Sequence, residues 1–225
     1  IAQLVLQRMG YGTHNLANQS AMQETCVEKG IQLGKEITFN TIDQGCNLIL
    51  LGEMGIGNTT CASAILSALT HYSPERCAGR GTGINDEQLA RKVRAITNGI
   101  ARINNDSLIT ILAQVGGFEI VQLVGSCLAA YERKVAIVID GFIVSVAALV
   151  ATKLQPGCRD YMIFSHHSKE QAHALALSEM SATPLLSLSL RLGEGTGAVL
   201  ALPLMQAAAA FYNNMATFEQ AGIDV

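Results

Sequence analysis

Three short apolar runs constrain this chain more than any other feature. They are CNLILLG (46–52), KVAIVIDGF (134–142) and YMIFSHHS (161–168). Each closes on a glycine or polar turn and leads into a helix-forming segment. A short continuous apolar run suits a strand buried on both faces. Strands alternating with helices predict a mostly parallel sheet in an α/β layer fold. In such sheets ligands lie beyond the carboxyl ends of the strands. The Gly52-Glu53, Asp140-Gly141 and Ser165-His166 turns all fall there.

The helices are marked by spacing and caps. Asn58, Thr59 and Thr60 can cap the helix after the first run. Residues 85–103 give the clearest pattern, with Leu89, Val93, Ile96, Ile100 and Ile103 on one stripe. Arg91 and Arg94 point away from that stripe, whereas Lys92 lies at its edge and can reach over a neighbouring loop. A further helix is expected over 169–180. The last, about 197–218, is apolar nearly all round, which predicts burial in the core or at a subunit contact. Pro203 fits in its first turns or bends it. The 225 residues suffice for one α/β domain spanning 1–225, with 1–44 a helical lead-in and 45–225 the motif-bearing part. Ile1 opens within what reads as a helix, without a methionine, as expected of a fragment.

Charge and cysteine content narrow the partners. The net charge of −3 suggests neither a nucleic-acid surface nor attraction to an anionic membrane. No apolar run reaches the length of a membrane span, and no signal peptide opens the chain. The six cysteines are scattered without a C-x-x-C, as for free thiols in a reducing cytoplasm.

Three glycine loops precede helices: GEMGIGNTT (52–60), GRGTGIND (79–86) and RLGEGTGA (191–198). Glycines let a backbone approach a ligand closely, and free N–H groups at a helix start attract anions. The first loop almost spells a P-loop, but Asn58 stands where that motif needs lysine. That favours a small phosphate ester over a nucleoside triphosphate. Singly, each loop also reads as a tight turn and helix cap. Two of them carry an acid between glycines, where a carboxylate is free to project into a cleft. Glu53 and Glu194 are therefore a candidate pair, one to take a proton and one to stabilise a cation. Such a pair suits chemistry at an anomeric carbon.

Other residues leave alternatives open. Ser168 is a helix N-cap or a phosphate donor. Asp140 bonds a ribose hydroxyl or caps the next helix. Glu119 in VGGFEI (115–120) belongs to the surface or to the site. Lys92, close in sequence to GRGTG, is a candidate phosphate counter-ion. His166, His167 and His173 read better as hydrogen-bonded side chains at a strand end than as metal ligands, because adjacent histidines point apart.

GEMGIGNTT, GRGTGI, VGGFEI, DGF, SHHS and RLGEGTGA occur here in the order found in nicotinate-nucleotide–dimethylbenzimidazole phosphoribosyltransferases, and the chain resembles that family from about residue 45 to its end. The resemblance implies a Rossmann-like α/β large domain, a homodimer, and a longer N-terminal region in family members. It implies phosphoribosyl transfer from nicotinate mononucleotide to a benzimidazole, with inversion at C1′, in building the nucleotide loop of cobalamin. Glu194 matches the family's proposed general base and Glu53 a second acid near the sugar. Gly55, Gly57, Asn58, Gly81, Lys92, Ser168, Thr196 and Gly197 fall where the family holds the nucleotide. No metal and no cofactor are expected, since no pyrophosphate leaves. Two rivals stand beside this reading. One is a nucleosidase that transfers the ribosyl group to water; the other is a non-catalytic nucleotide- or base-binding protein. A dinucleotide oxidoreductase is disfavoured, because no strand is followed by G-x-G-x-x-G.

Overall fold

The computed structural model describes residues 4–222 apart from Thr82 and Asp106. The three apolar runs form the three strands β1 (Leu48–Leu50), β2 (Ala136–Ile139) and β3 (Met162–Phe164). They pair in parallel in the order β1-β2-β3, with Ile49 opposite Ile137 and Val138 opposite Ile163. Only the central strand matches the expectation of burial on both faces. Ile137, Val138 and Ile139 are fully buried, each stabilising the fold by roughly 1.5–3 kcal/mol. β1 lies at an edge and is half-buried throughout.

The helices are α1 (Glu24–Asp43), α2 (Thr59–Thr70), α3 (Pro74–Cys77), α4 (Asp86–Ile100), α5 (Leu108–Val115), α6 (Phe118–Glu132), α7 (Phe142–Leu154), α8 (His173–Glu179) and α9 (Thr196–Asn214). Asn85 starts α4 with a reciprocal capping box to Gln88. That helix ends at Ile100, so Ile103 packs on the core from the following turn.

Three expectations need correction. The helical lead-in is α1 alone: residues 4–10 are irregular, and Ile1 lies outside the described residues. The helix expected over 169–180 starts at His173, because Ser168 and Glu170 are drawn into loop hydrogen bonds. The last helix, expected in the core or at a subunit contact, enters the core only with its first turns. Gly197, Ala198 and Ala201 are buried, whereas Leu204, Phe211 and Tyr212 face outward. Pro203 lies inside α9, where it removes a backbone donor.

Helices α1 and α6 meet backbone to backbone. A Cβ on Gly34 would lie 1.9 Å from the Gln122 carbonyl oxygen, and one on Gly125 would lie 2.0 Å from that of Ile31. Gly125→Ala should therefore lower stability by about 1–3 kcal/mol, despite alanine's better helix propensity. Thermal melting checks this. An unchanged or raised Tm would mean that the helices separate at no cost.

The strand ends place the loops. β1 runs into residues 51–58 and α2; β2 runs into Asp140-Gly141 and α7. Beyond β3, the segment 185–190 lies alongside 164–169 through Leu185 N–H to Phe164 O (2.9 Å) and His167 N–H to Leu186 O (2.9 Å). That pairing carries the third glycine loop, before α9, to the same end of the sheet.

Candidate functional site

The strand ends and glycine loops enclose a cleft of about 560 Å³, within the range of small-molecule sites. Glu53, Gly55 and Thr59 come from the first glycine loop, Gly79 to Gly81 from the second, and Leu190 to Gly193 from the third. Asp140 to Val144 and Ser168 to Gln171 complete the wall. The N-termini of α2 and α7 reach the cleft at Thr59 and Phe142, and their partial positive charge favours an anion. Gly55 and Gly57 both have φ of +84°, a left-handed backbone that glycine adopts without penalty.

The two acid-bearing loops touch. The Glu194 N–H donates to the Glu53 carbonyl oxygen at 2.7 Å. A Cβ on Gly52 would lie 2.3 Å from the Gly195 nitrogen, so the close approach requires glycine there. The side chains differ in surroundings. Glu53 is half-buried and lines the cleft, whereas Glu194 is exposed, one residue beyond the wall at Gly193. Glu194 itself has φ of +64°, a conformation costing a non-glycine residue about 1 kcal/mol or more.

Burial pushes the Glu53 carboxyl above its ordinary range, and Glu119 adds to this; Asn58 and backbone N–H groups oppose it. Asn58 does not cap α2. Its Nδ2 donates to Glu53 Oε1 and, at 3.4 Å, to Glu119 Oε1. Glu119, left open by sequence, thus contacts Asn58 behind Glu53 and does not itself line the cleft. Glu53 Oε2 and Asn58 Oδ1 are buried without partners, as groups that wait on a ligand would be.

Lys92 is buried beneath the first two loops. Its Nζ donates to Thr59 Oγ1 (3.0 Å) and to the Gly79 carbonyl (2.9 Å). Burial pushes its pKa down, while Glu170 and Cys61 favour the charged form. An ammonium has three N–H donors, of which these bonds use two, and the residues above it, Thr59 and Gly79, line the cleft. Gly81 packs over Thr59, whose Oγ1 would lie 3.1 Å from a Cβ there. Glu170, not singled out by sequence, lines the cleft and keeps Oε1 buried and unpaired. Its place just past a strand end was the available signal.

Two residues expected near the phosphate, Gly197 and Thr196, are engaged within the protein. Gly197 is a packing glycine: a Cβ would lie 2.0 Å from His166 Nδ1. The amides of Gly195 and Ala198 are taken by Asp140, at 3.2 and 2.9 Å, so the start of α9 already holds a carboxylate. Thr196 donates its hydroxyl to the Gly193 carbonyl at 2.8 Å. Asp140 therefore caps α9 rather than the helix that follows it, each oxygen accepting one backbone N–H while the residue lines the cleft.

Ser168 lines the cleft but is no N-cap, since α8 begins five residues later. Its N–H donates to His173 Nδ1 at 3.1 Å, which fixes that nitrogen as unprotonated. His173 Nε2–H then donates to Ser145 Oγ at 2.9 Å. His166 is buried and His167 exposed, and among the described residues no three His, Cys, Asp or Glu gather as a metal site.

Burial pushes His173 down to about 3, and His166 and His167 act in the same direction. The unfolded chain therefore binds more protons below about pH 6.5, so stability is lost as pH falls from there. The expected slope is about 1.4 kcal/mol per pH unit. Tm should fall between pH 6.5 and 5, and His173→Gln should flatten that fall. His166, also pushed down, leaves part of the slope in place. Burial pushes the Glu53 and Asp140 carboxyls up, so both gain stability on protonation above the ordinary carboxylate range and offset part of that fall. The difference between wild type and His173→Gln is therefore the quantity to read. A His173→Gln profile parallel to that of the wild type over this interval would contradict a neutral buried imidazole.

A family model described as Phosphoribosyltransferase matches residues 2–223. The chain is 57% identical over 222 residues to a nicotinate-nucleotide–dimethylbenzimidazole phosphoribosyltransferase of Vibrio atlanticus, covering 99% of this chain and 65% of that one. A Vibrio cholerae protein of the same name is 53% identical over 224 residues, covering 100% and 66%. The crystal structure of CobT from Thermus thermophilus matches with a TM-score of 0.93 at 42% identity, covering 98% and 66%. The chain thus spans just under two thirds of the length of these relatives.

Proposed function

The chain belongs to the phosphoribosyltransferase family, and from that premise we propose that it transfers phosphoribosyl from nicotinate mononucleotide to 5,6-dimethylbenzimidazole. The products are α-ribazole 5′-phosphate and nicotinate, a step in building the nucleotide loop of cobalamin. The observation that carries this reading is the pairing of two acid-bearing loops at a cleft built for a phosphate. Glu194 N–H lies on the Glu53 carbonyl, and Lys92 bonds Thr59 and Gly79 of the cleft wall from below.

The chemistry balances with these residues. The bond from C1′ to the pyridinium nitrogen breaks, and its electron pair neutralises the ring of the departing nicotinate. No acid is needed for that departure. The unprotonated nitrogen of the benzimidazole forms the new bond to C1′ from the opposite face. The other nitrogen gives its proton to Glu194, the general base. Glu53 stabilises the positive charge on the ribose as it develops. Lys92, Ser168 and the backbone of Gly55, Gly57 and Gly81 hold the phosphate, and Asn58 orients Glu53.

A homodimer is part of the same proposal, supported by the outward apolar face of α9 at Leu204, Phe211 and Tyr212. So is a cytoplasmic location, supported by six free cysteines.

The test follows nicotinate by chromatography. Release from nicotinate mononucleotide should require 5,6-dimethylbenzimidazole and match α-ribazole 5′-phosphate one for one. Release without the base would instead indicate a nucleosidase. Ligand-dependent melting without products would indicate a binding protein.

A further inference from the structure

We infer that Asp140 is a positioning residue that holds the Glu194 loop in its working geometry. This rests on Glu194 being the base.

Asp140 follows the last residue of the central strand β2 and is 2% exposed. A carboxylate is rarely so buried without a specific duty. Its duty here lies far along the chain: Oδ2 accepts the Gly195 N–H and Oδ1 the Ala198 N–H. Ala198 is the third residue of α9, so Asp140 supplies the cap that Gly195, at the N-cap, has no side chain to make. The loop needs such a clamp. Glu194 and Gly195 are successive left-handed residues, at φ of +64° and +80°. An unrestrained Glu194 would leave that conformation. On one side its own N–H is tied to Glu53, and on the other the next residue is tied to Asp140. The base is thus held between the second acid and the fully buried strand of the sheet. Behind Asp140, His166 Nδ1 lies 3.5 Å from Oδ1 and 3.0 Å from Ser165 Oγ, and the Ser165 hydroxyl donates to the Asp140 carbonyl.

Asp140→Asn is the informative variant. Its amide keeps one acceptor and turns an NH₂ toward one of the two N–H groups, so one strap is lost. In an active preparation kcat should fall about 10- to 100-fold, while KM for nicotinate mononucleotide stays within about threefold. On a Glu194→Gln background, Asp140→Asn should add less than about a twofold further loss, because the residue acts through Glu194. Full activity of Asp140→Asn, or losses that multiply in the double variant, would overturn the inference. A Glu194→Gln variant with unchanged activity would remove the reading beneath it instead. Amide exchange on the wild type keeps the test independent of how the variant folds. The Gly195 and Ala198 amides should be as protected as the interior of α7; exchange at the rate of an exposed loop would overturn the clamp.

Discussion

Replacing Glu194 by glutamine is expected to lower turnover by about 10²- to 10⁴-fold, the usual worth of a general base. Glutamine keeps the length and shape of the side chain and loses only its capacity to take the proton. The left-handed backbone at residue 194 is equally costly for both residues, so the loop should keep its form. Binding of nicotinate mononucleotide should hardly change, because the proposed phosphate site lies on other loops and at Lys92. The loss should therefore appear in kcat and not in KM for the nucleotide. Steady-state kinetics with both substrates checks this. Full activity in the variant would remove Glu194 from the chemistry.

Glu53→Gln is expected to slow turnover by about 10²- to 10³-fold, the typical cost of losing a group aimed at developing charge. The environment explains the size. Glu53 is half-buried, so a carboxylate there acts on a nearby cation through less water than at the surface. The variant should fold well. A glutamine carbonyl can still accept from Asn58 Nδ2, and the uncharged amide relieves the burial that pushes the Glu53 carboxyl upward. A second signature follows from that upward push. The wild type should lose activity on acidification at a pH above the ordinary carboxylate range, and the variant should lack that limb. Unchanged turnover with an unchanged pH profile would return Glu53 to a structural role.

The parts legible in sequence were those governed by local pattern. Three apolar runs became three parallel strands, since periodicity and flanking turns depend on neighbours in the chain. The reach of Lys92 over a neighbouring loop was legible from its place at the edge of a helical stripe. What the sequence left unread involves partners distant in the chain. Asp140 was open between ribose and the next helix, and nothing local to DGF reveals a cap on α9. Gly197 was placed near the phosphate by the family resemblance, and nothing local showed what else requires glycine there. The His166 ring, 2.0 Å from where a Cβ would stand, imposes that requirement. Asn58 has the composition of an N-cap, yet Glu53 and Glu119 offer its amide better partners than the helix start. The outward face of α9 was half-read, because an apolar helix looks the same whether it meets a core or another surface.

The most direct measurement is electron density after soaking crystals with nicotinate mononucleotide. The phosphate is expected among Lys92, Ser168 and the Gly55 and Gly81 loops, with C1′ between the carboxylates of Glu53 and Glu194. A nucleotide bound with its C1′ remote from either carboxylate would contradict a catalytic cleft shared by the two acids.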